Sequence, residues 1–191
     1  MKVLKIAAAA LALAAPFAMA QTSTWKSDPA HSEVDFTIKH LSVSNVHGRF
    51  GHVDATIVYD EKDITKSTVK ATIDVLGLST GESQRDTHLK TPDFFDCSQF
   101  ASATFESTSV AKSGSGLKVS GNLTVHGVTK PVVLDVEGPS APVPGMDKRP
   151  HVGFSATTTI NRVDFGIGPK FADAMVGTNV KVNIEIDAVK Q

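Results

Sequence analysis

The chain has 191 residues, 41% of them apolar and 20% charged, with a formal net charge of −1 and a single cysteine. That length and balance suit one globular domain with a substantial core. The lack of a basic run makes nucleic acid and anionic membrane surfaces poor partners, and Cys97 has no second cysteine with which to form an intrachain disulfide.

Lys2 and Lys5, the apolar run Ile6–Ala15 and the small-x-small triplet Ala18-Met19-Ala20 make the three parts of a cleavable secretory signal. The run is about half of what a bilayer crossing takes, and Gln21 rather than a lipidation cysteine follows the cleavage point. Residues 1–20 therefore read as a signal peptide and 21–191 as one exported domain without a membrane span, most simply periplasmic. Losing Lys2 and Lys5 takes the formal charge from −1 to −3. In an oxidising compartment Cys97 reads as a quiet buried thiol, an intermolecular bridge being the lesser option.

The first strand is predicted where Val34, Phe36 and Ile38 alternate with Glu33, Asp35, Thr37 and Lys39. In 46–59, Val53, Ala55, Ile57 and Tyr59 share a parity that Phe50 breaks. A bulge near Gly48 or Gly51 would return Phe50 to the inner face. Val69, Ala71, Ile73 and Val75 give a further strand. In 83–96 the alternation stops: Ser83-Gln-Arg-Asp86 has the form of a capping box and Thr91-Pro92 that of a second helix start. One or two short helical turns are expected there, docked through Leu89, Phe94 and Phe95.

Strands are predicted next at 102–111 and at Leu117–Val125, then at 131–137 after His126-Gly127, a pair suited to a two-residue hairpin turn. Pro139–Pro150 is too rich in proline for a central strand and reads as a mobile surface connection. A strand at 151–160, an irregular segment Asp164–Gly177 and a last strand around Val180–Asp187 complete the chain.

About eight strands, each with one apolar face and no long amphipathic helix to cover it, must bury that face against one another. The fold class is all-β: an antiparallel barrel is favoured, with a sandwich as the alternative. Closure also removes exposed strand edges.

Gly77-Leu-Ser79-Thr-Gly81, with Asp86 and His88 nearby, formally matches a nucleophile elbow. The parallel sheet with flanking helices that such an elbow needs is not predicted. A small hydrolase using Ser79 and His88 stays as an alternative reading. No metal site is expected: His47 and His52 have an odd spacing that points them to opposite strand faces, and the remaining histidines are scattered. Asn122-Leu-Thr124 is a formal glycosylation sequon inside a predicted strand and reads as chance.

The inward positions are mostly Val, Ile, Ala and Leu with Phe at intervals, and few polar groups accompany them. Such an interior suits an apolar chain better than a sugar or nucleotide, the alternative being a ligand-free stress or interaction protein whose side chains fill the core.

Several motifs fall in the order found in one family. They are Asp28-Pro-Ala-His31-Ser, Gly48-Arg-Phe50, Thr80-Gly81, Arg85-Asp86-Thr-His88-Leu89, Asp93-Phe-Phe-Asp96, Gly121-Asn-Leu-Thr-Val-His-Gly-Val-Thr-Lys-Pro131 and Arg162-Val-Asp-Phe-Gly166. Across essentially the whole exported part, the chain resembles the YceI-like proteins. The resemblance implies an extended, eight-stranded, lipocalin-like barrel with its short helical turns at the mouth. It further implies a periplasmic binder, not an enzyme, for a polyisoprenoid such as an isoprenoid quinone or prenyl phosphate, or for another long amphiphile. No cofactor or metal is implied, and a homodimer is left open. On this basis the tunnel wall is assigned to Phe36, Ile38, Phe50, Ile73 and Phe105 in the first half and to Val119, Leu123, Leu134, Phe154 and Ile184 in the second. Arg85, Asp86, His88 and Arg162 are the candidates for the polar head group. Alternatively, Arg85 and Asp86 pair with Arg162 or Asp164 to pin the helical turn to the 164–177 segment.

Overall fold

The structure, a computed structural model, describes residues 22–191. The expected signal peptide lies outside the described residues. The strands are β1 (Thr22–Ser27), β2 (Glu33–His40), β3 (Ser44–Arg49), β4 (Val53–Asp60), β5 (Thr68–Asp74), β6 (Ser102–Ser113), β7 (Gly116–Val125), β8 (Val128–Glu137), β9 (Val143–Pro144), β10 (Pro150–Asn161) and β11 (Val176–Lys190). One helix, α1 (Ser83–Leu89), and two 3-10 turns at Ile64–Lys66 and Arg162–Phe165 interrupt them.

Three end-to-end pairs account for the strands beyond eight. β1 and β2 lie end to end along β11, with Trp25 opposite Lys190 and Val34 opposite Ile184. β4 and β3 lie end to end along β1 and β2, with Thr22 opposite Asp60 and His40 opposite Ser44. β9 continues β8 along β10. Counted this way, each stave is antiparallel to its sequence neighbours, and the pairing of β10 with β11 closes an eight-stranded barrel. Closure leaves the inner faces nothing to pack on but one another.

The breaks between the end-to-end strands have local causes. Between β1 and β2, Pro29 has no N–H to give a ladder. The chain swings out and is retied to β11: Asp28 N–H donates to the Asp187 carbonyl at 2.7 Å, and Ser32 Oγ accepts from Asp187 N–H at 3.1 Å. Between β3 and β4 the expected bulge is a full interruption. It turns Phe50 inward, with its ring 5.3 Å from Phe36 and 5.8 Å from Phe95. Gly48 makes room for this cluster, because a Cβ there would stand 2.3 Å from the Phe36 ring.

The His126-Gly127 turn has φ of 52° and 72°, the left-handed pair that matches a two-residue hairpin between Val125 and Val128. His126 Nδ1 also lies 3.1 Å from the Phe165 carbonyl, and its ring packs on Phe100. The turn thereby anchors the segment after β10. The proline-rich connection is more regular than its composition suggests. Its Val143–Pro144 pairs with Pro150–His151 at the sheet edge, where a missing N–H is tolerated.

The largest buried hydrophobic cluster lies at one end of the barrel. There Val75, Phe94, Cys97, Ala103, Val125, Phe165 and Ile167 form one buried cluster. Val53, Val75 and Leu78 are the large side chains most completely buried, each stabilising by about 1.5–3 kcal/mol. Cys97 belongs to this cluster, and burial pushes its thiol above the ordinary value. Two segments that cross the barrel end supply much of the cluster: 83–97, containing α1, and 162–176, before β11.

Candidate functional site

The alternating strands place their apolar residues around a cavity of about 750 Å³, so the side chains do not fill the barrel. That volume is within the usual range for ligand pockets, about 300–1,000 Å³. All ten residues expected on the tunnel wall are on the cavity wall: Phe36, Ile38, Phe50, Ile73, Phe105, Val119, Leu123, Leu134, Phe154 and Ile184. At one end lies the 3-10 turn at Ile64–Lys66, whose Ile64 lines the cavity and packs against the cluster of Phe105, Val110, Leu117 and Val119. At the other end, Lys39, His40, Leu41, Glu82, Arg85 and Met175 reach the cavity surface and define the rim.

α1 is positioned on this rim by polar contacts. Glu82, not Ser83, is its N-cap: the Glu82 carboxylate accepts from the Gln84 and Arg85 amides. Asp86 does not complete the expected capping box. Its carboxylate accepts from Ser79 Oγ at 3.1 Å and from Thr80 N–H and Oγ1 at 2.8 and 2.5 Å. Burial raises its pKa, but these hydrogen bonds prevail and hold it below the ordinary carboxylate value. Asp86 therefore ties α1 to the preceding loop. Arg85 donates to Thr80 Oγ1 and the Thr80 carbonyl, using two of its five N–H groups, and its side chain lines the cavity.

The two segments crossing the barrel end are pinned together, though not by the pairs expected from the sequence. Phe94 stacks on Phe171 with centroids 4.8 Å apart, and the His88 ring stands edge-on to both. Asp93 accepts from Lys170 at 2.6 Å and lies 2.9 Å from His88 Nε2. These two partners, Lys170 first, hold the Asp93 carboxyl below its ordinary value. His88 is thus both a cavity-lining residue and part of the clasp.

Arg162 lies beneath the clasp and is almost wholly buried. Its Nε–H donates to the Gly177 carbonyl, its Nη1 hydrogens to Ile167 and Gly168, and its Nη2 hydrogens to Phe171 and Val176. All five guanidinium donors end on backbone carbonyls, leaving none for a head group. Burial lowers its pKa, opposed by Asp173. Neither Arg85 nor Asp86 pairs with it. The 164–177 segment is wrapped around this one side chain.

The hydrolase arrangement is not assembled. Ser79 Oγ donates to Asp86 and His88 faces Asp93; among the described residues no hydrogen bond joins Ser79 to His88. The histidines are less scattered than the sequence suggests. Ligand-type atoms of Asp28, His31 and Asp187 lie within 4.8 Å of one another, with His151 Nδ1 2.7 Å from Asp187. Asp28 also caps its own turn through the Ala30 amide and lies 2.8 Å from His31 Nδ1, so the group pins the β1–β2 corner to β11 on the outer wall.

Sequence reasoning missed Lys39, His40, Leu41 and Met175 on the rim. Only Lys39-His40, two bases ending the first strand pattern, offered a signal.

The chain matches the YceI-like domain over residues 25–188. A UPF0312 protein of Vibrio cholerae is 37% identical over 156 residues, covering 80% of this chain and 81% of that protein. The crystal structure of a Campylobacter jejuni YCEI protein superposes with a TM-score of 0.71 at 32% identity, over 81% of this chain and 90% of that one. A polyisoprenoid binding domain from Saccharophagus degradans, implicated in plant cell wall breakdown, shares the fold with a TM-score of 0.63 at 16% identity, over 90% of this chain and all of that one.

Proposed function

The chain belongs to the YceI-like family, and we propose that it is an exported, periplasmic carrier for one polyisoprenoid lipid, an isoprenoid quinone or a prenyl phosphate, or for a similar long amphiphile. The single observation that carries this reading is the apolar cavity of about 750 Å³, with its Lys, Arg, His and Glu side chains gathered at one end. A wall of Val, Ile and Phe offers an alkyl or prenyl chain burial worth about 0.8 kcal/mol per CH₂. It offers a sugar almost nothing to bond.

The rim supplies what a polar head requires. Arg85 keeps three of its five donors for an outside partner, and its planar fork suits a phosphate or a carbonyl. Lys39 and His40 also line the rim. Asp86 and Arg162 position the segments around the head group, and His88 contributes an edge. The polyisoprenoid-binding domain with the same fold is consistent with this ligand class. No step here is chemical: the protein encloses the chain and releases it.

Native mass spectrometry of the exported chain, purified without detergent, tests the reading, together with titration by geranylgeranyl phosphate and a short-chain ubiquinone. One bound lipid per chain is expected, and Leu123→Asp should abolish it while Lys118→Asp should not. Absence of any co-purified lipid, with no uptake of either probe, would sink the proposal.

A further inference from the structure

We propose that the tip of the β2–β3 hairpin, with Met175 beside it, is a docking surface for a lipid bilayer and that the cavity is loaded across it. This rests on the lipid-carrier reading and adds the partner from which the lipid comes.

Three large apolar side chains are left in solvent at one place. Leu41 is 51% exposed, Val43 79% and Met175 51%. They are brought together by the backbone: Leu41 N–H donates to the Met175 carbonyl at 2.9 Å, and Val43 N–H to the His40 carbonyl at 3.1 Å. Leu41 and Met175 also line the cavity. Apolar surface therefore runs from the bore, over the rim and out to the hairpin tip. Single exposed apolar residues are ordinary, whereas a group of them at a cavity mouth is not.

The turn itself does not ask for these residues. Leu41 and Ser42 have φ of 50° and 59°, a region in which Gly or Asn is the cheaper choice. A leucine held there is strained and half exposed, so the turn does not account for its side chain, which lines the cavity and continues outward at the mouth.

The charge around the tip suits a bilayer. Residues 39–53 contain no Asp or Glu, and the tip itself carries Lys39, His40 and His47. The carboxylates of the facing segments are engaged: Glu82 caps α1, and Asp173 accepts from Thr178 N–H and Oγ1. The sequence lacks the basic run that electrostatic adsorption needs. The contact proposed is apolar insertion, which an anionic leaflet does not oppose and which salt does not screen.

The test uses the exported chain and vesicles of phosphatidylethanolamine and phosphatidylglycerol, with a fluorescent geranylgeranyl phosphate as probe. Wild-type protein should co-sediment with vesicles equally at low and high salt. Leu41→Gly/Val43→Ser, a change confined to exposed positions, should lose co-sedimentation and take probe from vesicles at least tenfold more slowly. Val43→Ser alone, at a position that does not line the cavity, should weaken co-sedimentation and slow loading while its affinity for probe supplied in detergent is unchanged. Val43→Trp should strengthen sedimentation. If the double variant sediments and loads as wild type does, the proposal is overturned. It is also overturned if the tip instead mediates a concentration-dependent dimer that the double variant abolishes. Failure of wild-type protein to bind probe in detergent would overturn the carrier reading, and sedimentation would then judge the docking surface alone.

Discussion

Phe94 and Phe171 stack nearly parallel, 8° apart in plane and 4.8 Å between centroids, across the end of the barrel. The first comes from the segment after α1 and the second from the segment before β11. Their contact makes one cover out of two separate crossings. The Asp93 carboxylate repeats the connection in polar form, taking Lys170 from one crossing and His88 from the other. What remains uncovered, between α1 and the β2–β3 hairpin, is the mouth.

The stack should be energetically coupled and should slow ligand exchange. Phe94 is buried, so Phe94→Ala is expected to cost about 3–5 kcal/mol in urea unfolding. Phe171 is only partly buried, and Phe171→Ala should cost less. A double-mutant cycle should return a coupling of about 0.5–1.5 kcal/mol. Phe171→Ala should also speed release of bound lipid in a stopped-flow competition. Additive stabilities with an unchanged release rate would show that the rings merely lie near each other.

Arg162 should behave as a structural residue. Substitution by Met removes a donor from five backbone carbonyls, of which Gly168 still accepts from Phe171 N–H, at about 1–3 kcal/mol for each left unsatisfied where water cannot reach. A loss of at least about 3 kcal/mol is expected on this basis. Arg162→Lys should recover only part of it, since an ammonium has three donors and no fork. Hydrogen exchange should show lost protection concentrated in residues 163–177. A variant equally stable but impaired in lipid binding would instead place Arg162 at the head group.

How far these features could be read in the sequence depends on whether a side-chain pattern records them. The strands are visible because Val34, Phe36 and Ile38, or Leu117, Val119 and Leu123, must alternate if one face is buried. Phe50 was recoverable because the glycines beside it allow the parity to break. The Arg162 hub left no such trace: its partners are carbonyls, which every residue possesses. The N-cap went to Glu82 rather than Ser83 because Asp86, needed to complete the capping box, is drawn to Ser79 and Thr80. The rim of Leu41 and Met175 joins residues far apart in sequence by a backbone bond that no periodicity encodes.

The clasp should open in acid and not at neutral pH. Lys170, then His88, hold the folded Asp93 carboxyl below its ordinary value of 3.8. A depressed carboxylate contributes stability that is complete above its unfolded pKa and lost as pH falls through the folded one. Lipid release from the wild type should therefore be flat from neutral pH down to about 4 and accelerate below that. Asp93→Asn should release lipid at the faster rate throughout, so that the two curves converge in acid. An acceleration of the wild type already near pH 6, with Asp93→Asn unchanged from it, would assign the control of release to other groups.

The cavity volume sets how much chain can be held. At roughly 30 Å³ per heavy atom, the share of a water in its liquid, 750 Å³ accommodates about 25 heavy atoms. Within that limit each added CH₂ contributes about 0.8 kcal/mol, roughly fourfold in affinity. Affinity for a series of prenyl phosphates should therefore climb steeply through about five isoprene units and then level, because further units must remain outside the wall. Ala71 tests the source of that limit. It lines the cavity on β5, opposite Ala55 and Phe105. Ala71→Phe places a ring in existing space, so unfolding free energy should fall by no more than the about 1–3 kcal/mol of ordinary overpacking. The plateau should arrive about six heavy atoms sooner, the volume the ring removes, with affinity for the shortest ligands little altered. If affinity keeps rising beyond eight isoprene units in the wild type, or if Ala71→Phe leaves the plateau where it was, the chain is not seated in this bore.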